Sequence, residues 1–64
     1  MKSAFAPEIT TEPHNGLKVG QKRTWITSWF RTSVEILGFR KDNPNQVLVR
    51  DESGEWFASR GDLN

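Results

Sequence analysis

Hydrophobic and polar positions change rhythm at Leu17. Before it, "MKSAFAPEITTEPHNG" (residues 1–16) has no sustained period. Pro7 and Pro13 each bias the preceding residue toward extended backbone. This stretch reads as an extended or disordered N-terminal arm, with Phe5 or Ile9 as its anchors. From Leu17 onward, β-rich runs alternate with turn signals. Gly20 precedes a run through "RTWIT", and "TSVEILGFRK" (32–41) is rich in β-branched and aromatic residues. "DNPN" (42–45) is a turn cluster. "QVLVRD" (46–51) alternates Val47 and Val49 with Leu48 and Arg50. "ESG" (52–54) turns again, with Gly54 free to take a positive φ, and "EWFASR" (55–60) forms a last strand before "GDL" turns away. Short strands at about ten-residue spacing predict an all-β fold, a small barrel of four to five antiparallel strands.

The second strand carries apolar residues on both faces: Val34 and Ile36 on one, Leu37 and Phe39 on the other. Gly38 marks a bend between two barrel faces. A helical alternative exists. Ile26, Trp29, Phe30, Ser33, Val34 and Leu37 also fit a 3.6-residue period, with Gly38 as a C-cap. The run Thr24, Ile26, Thr27, Ser28, Thr32, Ser33, Val34 and Ile36 opposes it, because these are mediocre helix formers and no N-cap opens the segment. The division that follows is residues 1–16 as arm and 17–64 as barrel.

Size changes the picture next. A 64-residue chain is one domain at most and buries only about 60% of its unfolded surface, so it needs reinforcement. It has no cysteine, and His14 is its one histidine, which removes disulfides and the usual zinc sets. Three Trp and four Phe leave an aromatic core or self-association. Phe39, Phe57, Trp25 and Trp56 are the rings expected inside. The opening "MKSAFAPEIT" lacks the apolar stretch of a signal peptide, and no run approaches a membrane span. A soluble, cytoplasmic protein with no membrane contact is the expectation.

The segment from Leu17 to Leu63 resembles the SH3-like small barrels, including Tudor and KOW modules. The resemblance rests on "LKVGQKRTWI", "SVEILGF", "QVLVRD.SGEW" and the closing "GDL". KOW-type modules imply RNA or ribosome contact, and Tudor-type modules imply methylated side chains held by aromatic rings. Neither motif is complete here. "VGQ" and "VEILGF" are also similar to the opening and second strand of the plasmid-encoded type II dihydrofolate reductases. Those enzymes line a tetrameric pore with Val-Gln-Ile-Tyr. This chain has Glu55-Trp56-Phe57-Ala58 at the matching place, so their cofactor and folate contacts do not carry over.

Catalytic signals are absent from the sequence. There is no Cys nucleophile, and His14 lies in the arm. The serines at 3, 28, 33, 53 and 59 have no G-x-S-x-G setting, and "GLKVGQKRT" lacks the order of a phosphate loop. No D-x-D-x-D-G loop surrounds Asp51 and Glu52. No catalytic residue, cofactor or metal ligand is assigned. Arg60-Gly61-Asp62 spells an integrin-binding tripeptide but reads as the turn after the last strand.

Charge is uneven beneath a net +1. Residues 17–41 hold six basic residues (Lys18, Lys22, Arg23, Arg31, Arg40, Lys41) against Glu35. Residues 42–64 hold Arg50 and Arg60 against five acids. Such asymmetry marks a charged interaction face or two halves that neutralise each other on folding. Trp29 and Phe30 fall in the loop "TSWFRTS" between the first two strands, where a barrel's own core explains large rings poorly and function is commonly carried. The candidate binding residues are therefore Trp29, Phe30, Arg31, Lys22, Arg23 and Lys41. Trp and Arg are enriched at protein-interface hot spots, while bases stack on rings and phosphates attract Arg and Lys. The first reading is a non-catalytic protein-binding adaptor or inhibitor of a larger partner, of a style that resembles accessory proteins of phages and other mobile elements. The alternative is a nucleic-acid-binding module using residues 18–41. A third is a homo-oligomer that buries Trp29 against itself.

Overall fold

A computed structural model describes residues 7–64. It is all-β: five antiparallel strands in a curled half-barrel, compatible with an SH3-like barrel. The strands are β1 (Ile9–Thr10), β2 (Lys22–Ile26), β3 (Arg31–Arg40), β4 (Gln46–Asp51) and β5 (Gly54–Ser59), followed by a 3-10 turn at Arg60–Asp62. No helix forms in the 21–37 region, as the β-branched content demands. No helix among the described residues is long and apolar enough to cross a membrane.

The ten-residue β3 organises the sheet. Its first half pairs with β2 (Lys22↔Glu35 to Ile26↔Arg31), and its last residues pair with β1 on the same edge (Ile9↔Arg40, Thr10↔Phe39). β4 covers the other edge, and β5 pairs with β4. After the 3-10 turn the chain returns to β2. Thr24 N–H donates to Asn64 O (2.8 Å) and Asn64 N–H donates to Thr24 O (2.9 Å), which seats buried Leu63 beside Trp25.

The core is Leu17, Val34, Ile36, Phe39, Val47, Val49, Ala58 and Leu63. Simple alternation would put Phe39 on the face opposite Val34 and Ile36. The structure corrects this. The register shifts between Ile36 and Gly38, so Leu37 is an extra residue in a bulge. Ile36 then opposes Val49 and Phe39 opposes Val47, all on the inner face. Gly38 lies where β1 crosses: a Cβ there would sit 2.5 Å from Ile9 Cγ2 and 3.0 Å from Thr10 O. Two aromatic residues expected in the core are instead partly exposed. Phe57 opposes Leu48 on the outer face and is 39% exposed, with the Arg40 guanidinium 5.7 Å from its ring centre. Trp56 does face inward, opposite Val49, but at the barrel's open end, and it is 46% exposed. Trp25 is half-buried against the core.

Within the stretch read as an arm, residues 1–6 lie outside the described residues, and with them the expected Phe5 anchor. Ile9–Thr10 pairs with β3, and Lys41 N–H donates to Glu8 O (2.9 Å). His14 and Leu17 exchange backbone hydrogen bonds of 3.0 and 2.9 Å around Asn15 (φ 52°) and Gly16 (φ 81°). Positive φ at both central residues is the type I′ geometry that Asn-Gly favours. His14 packs edge-on against Phe39 at 5.2 Å, and Arg60 donates twice to Asn15 O (3.1 and 2.9 Å).

Candidate functional site

The β2–β3 turn is built on one hydroxyl. Thr27 N–H donates to Phe30 O (2.9 Å), and Thr27 Oγ1 accepts from the amides of Trp29 (3.1 Å) and Phe30 (3.2 Å). This side-chain-to-backbone closure fixes the turn locally. It leaves Trp29 90% exposed. Phe30 instead folds back, its ring perpendicular to that of Trp25 with centroids 5.0 Å apart. That edge-to-face contact adds about 0.5–1.5 kcal/mol beyond area burial.

Beyond the last layer of core side chains, the inner faces of four strands leave a groove of about 280 Å³. It is lined by Trp25 of β2, Phe30 of the β2–β3 turn, Thr32 of β3, Asp51 at the end of β4, Ser53, and Trp56 of β5. Strand parity explains the set. Trp25 opposes Thr32, two residues from buried Val34, and Trp56 opposes buried Val49. Asp51 Oδ1 accepts from Ser53 N–H (2.7 Å), Gly54 N–H (3.1 Å) and the Trp56 indole Nε1 (3.1 Å). The indole bond first, then the Ser53 amide, hold its carboxyl below the ordinary aspartate range. Asp51 therefore closes the β4–β5 turn, fixes the Trp56 ring, and places a negative charge in a mostly apolar lining.

The six residues singled out from the sequence do not form one patch. Trp29, Phe30 and Arg31 are consecutive at the β2–β3 turn, and Arg31 is exposed at the start of β3. Lys22 is exposed at the far end of β2, across from Glu35. Arg23 is turned inward, opposite buried Val34. One of its terminal nitrogens donates to Gln21 Oε1 (3.2 Å), and its Nε is buried with no hydrogen-bond partner. Lys41 follows the far end of β3, with its Nζ 3.6 Å from Glu8 Oε2. Ten residues of strand separate it from Trp29, on the order of 30 Å along the chain. Arg40 is tied to Asp42 by two bonds (3.0 and 2.7 Å), and Arg50 bridges β4 to Glu35 of β3 (2.8 Å). In each pair the arginine draws its carboxylate partner's pKa down.

Trp25, Trp56 and Asp51 complete the groove and were not among those six. Their signal in the sequence is positional. On strands of period two, Trp25 and Trp56 share the inward face with the core valines but stand at its open end. The Arg60-Gly61-Asp62 string is the 3-10 turn itself, and its arginine is occupied by Asn15 and Leu63 carbonyls. The chain matches no protein-family model, no curated protein and no solved structure.

Proposed function

We propose that this chain is a small non-catalytic protein-binding module, an adaptor or inhibitor that docks on a larger partner through the β2–β3 turn and the adjoining groove. The scaffold is read as an SH3-like barrel, a reading supported by the long bent β3, the meander through β5, and the short 3-10 turn before the chain rejoins β2. The observation that carries the function is the 90% exposed Trp29 on a turn made rigid by Thr27. A large ring left almost wholly in water, with little of its surface buried in its own fold, is of the type enriched among the residues that dominate protein interfaces.

The nucleic-acid reading has weaker support. Of its four phosphate-binding candidates, Arg23 is turned inward and Lys41 stands beside Glu8 at the other end of the sheet. Lys22 and Arg31 remain, one at each end of the five-residue β2 and its pairing partner. The test pairs two measurements on the full chain. Affinity capture with wild type and Trp29→Ala should show a partner lost by the variant, while both melt at the same temperature. Oligonucleotide titration followed by tryptophan fluorescence should show no quenching. Quenching that weakens steeply with salt would report phosphate contacts and replace this reading with the nucleic-acid one.

A further inference from the structure

We propose that the groove between Trp25, Phe30 and Trp56 receives an arginine side chain presented by a protein partner, with the guanidinium against the rings and beside Asp51. This rests on the protein-binding reading above and adds the chemistry of the occupant.

The groove combines two features that together select a cation. Its walls are three aromatic rings, which attract a positive charge through their electron-rich faces. Its one ionisable lining residue is a carboxylate. Asp51 enters none of the ion pairs found among the described residues, which are Arg40–Asp42, Lys41–Glu8 and Arg50–Glu35. All three of its bonds to neighbouring residues arrive on Oδ1, and Oδ2 accepts from no other described residue. An ionised carboxylate has about four acceptor positions, so a ligand finds an open oxygen on a group already locked in place. Glu52 follows it in the turn and is exposed, while Arg31, between the lining residues Phe30 and Thr32, falls by strand parity on the outer face.

Among biological cations arginine suits this lining best. A guanidinium is flat and weakly hydrated, so it stacks on indole faces and enters an apolar slot more readily than an ammonium. One of its N–H donors can bond the open Oδ2 while the guanidinium plane lies against a ring. Its methylene stem covers ring surface.

The experiment follows the three indole N–H signals of the full chain by NMR during titration with N-acetyl-arginine amide and with N-acetyl-citrulline amide, which has the same shape without the charge. Arginine should move the Trp25 and Trp56 signals saturably, and citrulline should bind about tenfold more weakly or not at all. Asp51→Asn keeps an oxygen acceptor for the Ser53, Gly54 and Trp56 donors, and it should weaken arginine binding about tenfold. Equal response to citrulline, unchanged affinity in Asp51→Asn, or no movement of Trp25 and Trp56 would overturn the proposal. The wild-type comparison decides it even where Asp51→Asn fails to fold. If arginine fails while Trp29→Ala still loses a captured partner, the occupant is wrong and the protein-binding reading survives. If an oligonucleotide moves the same indoles and arginine does not, both fall.

Discussion

Gly38→Ala tests whether β1 is seated where the core geometry requires it. The added Cβ would lie 2.5 Å from Ile9 Cγ2, against an ordinary carbon–carbon separation of about 3.5–4.0 Å. It would also lie 3.0 Å from Thr10 O, which is backbone and cannot rotate away. β1 is held by its pairing with Phe39 and Arg40 and by the Lys41-to-Glu8 hydrogen bond, so relief means lifting it off the sheet. Overpacking of this kind costs about 1–3 kcal/mol. The alanine also restricts the unfolded chain, which returns about 0.4–1 kcal/mol. The net expectation is a loss of about 1–2 kcal/mol, with about 4–8 °C of melting temperature per kcal/mol for a domain this small. The mechanism is checked by a double-mutant cycle. Ile9→Ala removes Cγ2, so in that background Gly38→Ala should cost about 1 kcal/mol less than in wild type. Urea unfolding of the four proteins measures this directly. Penalties that add to within about 0.3–0.5 kcal/mol would mean that Gly38 and Ile9 do not meet, and the account of β1 would fail.

Trp29→Ala should leave stability within about 0.5 kcal/mol of wild type, because the ring is 90% exposed; differential scanning calorimetry would show a shared transition. Thr27→Ala removes the acceptor for two turn amides and should cost about 1 kcal/mol, with faster exchange of the Trp29 and Phe30 amide hydrogens. Asp51 sets an acid dependence. Its pKa is depressed in the fold, so its stabilising effect is fully present above the unfolded aspartate value and is lost as pH falls through the lower folded value. Melting temperature should therefore be flat near neutrality and fall on acidification below the ordinary aspartate range. Asp51→Asn should make that fall shallower, though not abolish it, since Glu35 and Asp42 are depressed in the same direction by Arg50 and Arg40.

Strand positions were legible because their signals are local. The pattern predicts β4 over residues 46–51, its observed extent, since Val47 and Val49 alternate with outward residues and turn clusters bound the run. The loop position of Trp29 and Phe30 was legible for the same reason. Face assignments were less so, because a bulge leaves no mark in a period-two pattern. One extra residue at Leu37 moves Phe39 to the opposite side, and only pairing with β4 shows it. Trp56 is less buried than its strand pattern predicts because inward orientation is not depth: the position opposes Val49 but stands at the open end of the sheet. The turn at Asn15-Gly16 carried a strong local signal that the surrounding prolines obscured. The groove is tertiary, drawing on residues 25 to 56, so no single stretch displays it.

The use of aromatic residues in this chain argues for contact over self-stabilisation. A domain of this size has a total stability of roughly 3–10 kcal/mol. Burying one large apolar side chain contributes about 1.5–3 kcal/mol of that. Yet among the described rings only Phe39 is fully buried, while Trp29, Phe30, Trp56 and Phe57 keep between 39% and 90% of their surface in water. Phe57 has a local explanation in the Arg40 guanidinium beside it. Trp56 and Phe30 line one groove, and Trp29 adjoins Phe30, so three of these four rings cluster at one end of the half-barrel. The aliphatic core of Val34, Ile36, Val47 and Val49 closes without them. Replacing Trp29 with a polar residue should therefore cost the fold almost nothing and cost binding heavily. That division of labour is the physical content of the binding-module reading.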